Sequence, residues 1–390
     1  MMISNLVRFV IGFLFLLILS GCGTVSNWLE EDVYEAPPTE LTEFVAEFEP
    51  QVVWSTDTGS GAGNDYNDLA AWVQGDMVIA VDYEGEVASY NIQTGKQLWR
   101  IDLDVPVVSG AGGGSGLVLV GTQEGEIIAL DEVQGDVKWK KKLSSEVLAP
   151  PKAAMGIAVA RTADGRISGL SIEDGQILWS YQRAVPLLSL RGASEPVIAD
   201  DKVISGYANG KLVALSILDG NVIWEKSVAV PRGRTELDRL VDIDSAPVIK
   251  DGIVYVVAYH GRLAALSLES GRILWTRDMS SRSGLDVAGG DSVYVSDDSD
   301  YVWALQDGSG DALWRQTRLL RRKVTAPVIV GNHIIVGDFE GYVHWISRED
   351  GHFVARTRVA NNAIRSKPVV KDDLVFLTAS DGTLTAFRIQ

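Results

Sequence analysis

From Gln51 onward the chain repeats one pattern of apolar and polar positions: short runs rich in Val, Ile, Leu and Ala, each closed by a turn carrying Gly, Asp or Asn. Alternation with a period of two predicts strands, and runs this short leave no room for the apolar stripe of an amphipathic helix. The stretch from Asp164 to Trp179 shows the unit. An Asp-Gly pair opens it, an alternating run follows, a second glycine stands ten positions after the first at Gly175, and a tryptophan follows four beyond. Leading glycines recur at Gly85, Gly125, Gly210, Gly261 and Gly341, with second glycines at Gly95, Gly135, Gly220, Gly271 and Gly351. In the sixth copy Asp300 takes the leading place while Gly310 and Trp314 keep the spacing. Asp accepts a left-handed backbone better than most residues, so the turn survives. His260 fills the x of the x-Gly pair at Gly261.

The x-Gly pair reads as a tight hairpin turn with positive φ, the run after it as a strand, the second glycine as the end of the next turn, and the tryptophan as part of the strand beyond. Another β-rich run precedes each pair, as at Val254–Val257, and a proline often stands before that, as at Pro196, Pro247 and Pro327. Four antiparallel strands per repeat at a period of about 40 residues make a propeller blade. The last pair, Asp381-Gly382, is followed by eight residues, too few for a further strand, whereas Gln51–Trp54 is a surplus strand with no blade before it. Donated to the last blade, that strand closes the ring and leaves no open edge. The prediction is an all-β, eight-bladed β-propeller of four-stranded antiparallel blades over residues 51–390. Trp54, Trp99, Trp139, Trp179, Trp224, Trp275 and Trp314 share one position and read as packing between blades; the seventh repeat has Ala355 there.

Residues 1–21 read as an export signal: Arg8 supplies the positive start and Phe9–Leu19 an apolar segment too short to span a bilayer. Cys22 is the lone cysteine, so no intrachain disulfide, cysteine zinc cluster or catalytic thiol is expected. Leu19-Ser20-Gly21-Cys22 is similar to the lipobox of bacterial lipoproteins. That resemblance implies a diacylglycerol on Cys22, and Gly23 in place of Asp implies the outer membrane, facing the periplasm. Residues 22–50, acidic and carrying Pro37, Pro38 and Pro50, read as a tether. The formal charge of −17 argues against nucleic acid, and the run Arg318, Arg321, Arg322 and Lys323 reads as a solvated loop.

The spacing Ala-Leu-x-x-x-x-Gly-x-x-x-Trp is similar to the Trp-docking repeat of quinoprotein alcohol and glucose dehydrogenases, also eight-bladed. Some of those hold pyrroloquinoline quinone against a vicinal disulfide, which one cysteine excludes. Carboxylates here sit mainly in turns such as Ile172–Gly175, where they serve turn geometry. His260, His333, His344 and His352 lack metal-ligand spacing, and Gly110–Gly116 lacks the helix and lysine of a phosphate cradle and reads as a blade-edge loop. Neither cofactor nor metal is expected, and the reading is a non-catalytic scaffold. The alternatives are a quinoprotein-like dehydrogenase and a carbohydrate- or envelope-binding propeller.

The connections between blades vary. From the tryptophan to the next proline the spacing is 7 after Trp99, 11 after Trp139 and 13 after Trp314, but 17 from Trp179 to Pro196 and 23 from Trp224 to Pro247. These two longest crossovers are consecutive, and they share the face of the x-Gly hairpins. Apolar anchors rimmed by Arg and Asp suit a protein partner, while leucines packed beneath their own loop and Asp242 and Asp244 capping local backbone are the competing account. The segments Leu188–Gly192 and Thr235–Asp244, with the lipobox, the acidic tether and the repeats, resemble the BamB family, propeller lipoproteins of the outer-membrane β-barrel assembly (BAM) machinery. The resemblance covers nearly the whole chain. It implies binding to the periplasmic POTRA domains of BamA through Leu188, Leu190, Arg191, Asp242 and Asp244, with nascent outer-membrane β-barrel proteins as a further contact.

Overall fold

The computed structural model describes residues 36–63, 67–186, 194–231, 234–235, 240–289 and 291–388. Among them, thirty-two strands and no helix fall into eight successive groups of four. The groups, called blades one to seven, cover Trp72–Asp102, Gly112–Lys142, Lys152–Gln182, Val197–Ser227, Val248–Asp278, Gly284–Gln316 and Val328–Arg358. Blade eight combines the three strands of Val369–Arg388 with Gln51–Asp57, which lies antiparallel to Thr383–Arg388 in register from Gln51↔Arg388 to Asp57↔Thr383. Blade three shows the arrangement: its two central strands are nearly all buried and its outer strand is largely exposed apart from Trp179, whereas the outer strand of blade seven is buried at Phe353, Val354 and Ala355.

Eight apolar clusters join the blades, each spanning two neighbours. The one that completes the circle brings Val78, Ala88 and Tyr90 of blade one against Phe376, Leu384 and Ala386 of blade eight. The shared tryptophan position does this work locally. Each of the seven indoles donates its Nε1 proton to a backbone carbonyl of the following blade, at 2.6–3.0 Å. Each ring also lies over that blade's second glycine, where a Cβ would come within 2.5–2.8 Å of it. The glycine is needed twice, for this close approach and for φ values of 64–79°. A tryptophan buries roughly 150–250 Å², worth about 4–6 kcal/mol as an upper bound, so these seven contacts are a large part of the adhesion between blades.

Asp300 has φ 64°, as its place in the sixth repeat required. At the fifth repeat the left-handed residue is His260, with φ 48°, and not Gly261. The turn there is displaced by one residue because Tyr259 pairs with Asp242 through both backbone groups and stacks its ring on His260 at 4.0 Å.

Two loop expectations are corrected. Gly112–Gly114 is a strand, the innermost of blade two. A side chain on Gly112 or Gly114 would collide with the Pro151 or Ala153 carbonyl of blade three, and Gly113 pairs in parallel with Lys152 there. The glycines serve close packing at the axis. The basic run is not all solvated either: Arg322 is 2% exposed and pairs with Asp338 at 2.8 Å and with Glu340. The packed unit also starts earlier than the repeats suggest, at Thr39.

Candidate functional site

Connections between blades run on the side of the x-Gly hairpins, as expected: Gly85 abuts Val105, Gly125 abuts Ser145, Gly165 abuts Arg183 and Gly210 abuts Ala229. The two long crossovers therefore return to the ring on this face, next to each other. Leu188, Leu190 and Arg191 lie outside the described residues. The returning ends of both crossovers are described, and they are tied together. Ser194 Oγ, closing the first, donates to the Ser245 carbonyl of the second at 3.2 Å. In the second, Val241 and Ile243 point into the cluster between blades four and five, with Ile243 against Gly206.

Asp242 and Asp244 come together, but not as an exposed rim. Asp242 is 2% exposed, and its carboxyl shares a hydrogen bond with that of Asp244. Burial first, and then the Asp242 charge, hold Asp244 well above the usual carboxylate range, with Arg161 opposing them. Asp244 also faces a cavity of about 280 Å³ on the ring axis, lined by residues at, or just ahead of, the first strand of each blade. Asp68 and Glu195 stand there too, and Asp68 is pushed up to about 7 by desolvation and by Glu195. Among the described residues no group of three metal-ligating side chains converges.

Beneath the crossovers lies Arg161, 4% exposed, which the sequence reading missed. Its Nη1 donates to the Ser194 carbonyl and Ser205 Oγ, both at 3.2 Å, and to the Gly206 carbonyl. Its guanidinium lies 4.7 Å over the Tyr207 ring. Burial pulls its pKa down, while Tyr207, Asp244 and Asp242 counter that pull. A signal for it was present in the repeats. The last residue of the second strand in the eight blades is Val81, Gly121, Arg161, Gly206, Val257, Ser296, Gly337 or Thr378, and Arg161 alone is charged.

The raised Asp244 has a consequence for stability. The folded chain binds this proton more tightly than the unfolded one, whose carboxyl titrates near 3.8, so stability is fullest at acid pH and is lost as pH rises towards the folded value. Asp244→Asn should melt a few degrees above the unmodified protein at pH 8, with the gap narrowing steadily as pH falls towards 4. Thermal melts across that range check it, and a gap independent of pH would refute it.

The family model described as "Outer membrane protein assembly factor BamB" matches residues 45–110, 83–316 and 301–390. The chain belongs to the BamB family. Outer membrane protein assembly factor BamB of Pseudomonas aeruginosa is 48% identical to it over 91% of this chain and 93% of that protein. The crystal structure of BamB from Moraxella catarrhalis superposes with a TM-score of 0.81 at 29% identity, over 87% of this chain and all of that one. Both crossovers fall within the span of the BamB model. A quinohemoprotein alcohol dehydrogenase of Pseudomonas putida HK5 has a TM-score of 0.67 at 12% identity, over 87% of this chain and 76% of that one, a likeness of fold alone.

Proposed function

We propose that this BamB-family chain is a non-catalytic scaffold of outer-membrane protein assembly, anchored by lipid on Cys22 at the periplasmic face of the outer membrane. It docks on the POTRA domains of BamA with the face that carries the two long crossovers, and so helps β-barrel proteins fold and insert. The observation that carries the docking site is the joining of the crossovers: Ser194 and Ser245 bond to each other, and Arg161 lies below both. The described ends of the two loops are thereby fixed to each other, which lowers the ordering cost of binding there. In this reading Leu188, Leu190 and Arg191 touch the partner, and Asp242 and Asp244 act from beneath by holding the second crossover.

Capture of BamA from solubilised envelopes, measured beside thermal melting on the same variants, tests this division of labour. Leu188→Ser and Arg191→Ala should lower capture at least tenfold with the melting temperature unchanged. Asp242→Ala should lower both, because it opens a buried polar cluster. Undiminished capture by Leu188→Ser and Arg191→Ala would place the interface elsewhere.

A further inference from the structure

Residues 39–48 do not behave as free chain leading into the ring. The Thr39 amide donates to the Leu320 carbonyl at 3.0 Å, and the Glu47 amide to the Val354 carbonyl at 2.8 Å. Between these two fixed points the segment crosses the outer strand of blade seven. Leu41 and Phe44 enter the cluster between blades six and seven; Phe48 enters the one between blades seven and eight. Phe44 lies 5.6 Å from Phe353, and Phe48 stands edge-on to Trp345 at 6.5 Å. Blade seven is the one with Ala355 at the docking position, and Phe48 packs in the same cluster as that alanine. The missing indole and the added aromatic meet in one interface.

Charged groups hold the crossing segment from below. Arg322 donates to the Thr39 carbonyl at 3.1 Å and Arg356 to the Thr42 carbonyl at 3.0 Å. Both arginines are themselves fixed. Arg322 pairs with Asp338, Asp338 accepts from His344 Nε2 at 2.9 Å, and His344 Nδ1 accepts from Arg356 Nε at 3.1 Å. Asp338 and His344 are wholly buried, so the network is a rigid clasp and not a surface ion pair. The Arg356 guanidinium also lies 5.0 Å over the Phe44 ring.

We propose that residues 39–48 are a strap locked across blade seven by the Arg322–Asp338–His344–Arg356 clasp, which shortens the membrane leash and sets its exit beside the connection from blade six to blade seven. From Cys22 to Thr39 is 17 residues, against 29 to Gln51. At about 3.3–3.6 Å per residue, the longest reach falls from roughly 100 Å to roughly 60 Å. The exit also lies on the connection face, the face assigned to docking, so the leash limits how far that surface stands from the bilayer. The leash length rests on the reading of Cys22 as the lipidated residue. The strap itself does not.

Glutamyl endopeptidase on the full mature protein in detergent tests the strap, because Glu30, Glu31 and Glu35 precede it and Glu40, Glu43 and Glu47 lie within it. Cleavage at the first three should be at least tenfold faster than at the second three. Phe44→Ser with Phe48→Ser should bring the strap sites up to the rate of the leash sites. Should that pair unfold the propeller by circular dichroism, Arg356→Gln is the second variant and should raise cleavage after Glu43 at least threefold. Hydrogen exchange on the unmodified protein provides a reading without any variant, with peptides over 39–48 exchanging at least tenfold more slowly than an unstructured peptide. Equal cleavage at both sets of sites, or free-peptide exchange over 39–48, overturns the strap. Absence of fatty acid on Cys22 with the strap protected overturns only the leash length.

Discussion

Deleting Gln51–Asp57 abolishes the cooperative thermal transition of the propeller. The deletion strips Thr383–Arg388 of its outer neighbour along six residue pairs and leaves an apolar sheet edge at the end of the ring. It also removes Trp54, whose indole bonds to the Ile92 carbonyl at 2.9 Å, covers Gly95 and packs against Phe376 at 5.9 Å. The interface between blades eight and one then has neither its strand nor its ring. Trp54→Ala, which keeps the strand, should still melt cooperatively at a cost of about 3–5 kcal/mol. Calorimetry on both variants checks this, and a deletion variant that melts with the unmodified protein would show that the strand contributes nothing to holding the ring shut.

Replacing Arg161 by methionine costs about 3–5 kcal/mol of stability and lowers BamA capture at least tenfold. The cost follows from removing one partner of a buried charge network, which leaves Asp242 and Asp244 without their cation. It also leaves the Ser194 and Gly206 carbonyls without their donor. The loss of capture follows from geometry, since Ser194 closes the first crossover and Asp242 and Asp244 the second. Lysine should restore capture only in part, because an ammonium can take the place of Nη1, which makes all three bonds to Ser194, Ser205 and Gly206, but cannot lay a planar guanidinium over the Tyr207 ring. Denaturant titration and capture on the folded fraction separate the two effects. Lost stability with full capture would mean that the brace supports the ring without shaping the docking face.

Much of this was legible in one dimension. The x-Gly pairs, the second glycines and the tryptophans are local requirements of turn geometry and of close contact, and they keep the same offsets of ten and four residues within each repeat. The Trp-docking contact joins consecutive blades, so its two halves stay within 32–44 residues of each other and recur from blade to blade. The left-handed φ of Asp300 follows from the same bookkeeping of positions. Gly112–Gly114 was misread because its glycines answer a carbonyl on another blade and not a turn of their own.

The site divides along the same line. Asp242 and Asp244 stood out by their segment, but whether they face a partner or the interior depends on Arg161, about 80 residues earlier, and on the turn of a third blade at Tyr259. No spacing rule links those positions. The strap was likewise invisible: Leu41, Phe44 and Phe48 are sparse apolar residues in an acidic stretch, and what makes them structural is a blade surface some 300 residues away that lacks its tryptophan. By itself the amino-acid sequence determined the repeat, the strand count and the family, because these rest on fixed offsets within one repeat and on contacts between consecutive blades. Only the tertiary structure decided which charges are buried and which segments are held, because desolvation and ion pairing depend on what the closed ring brings within a few ångströms.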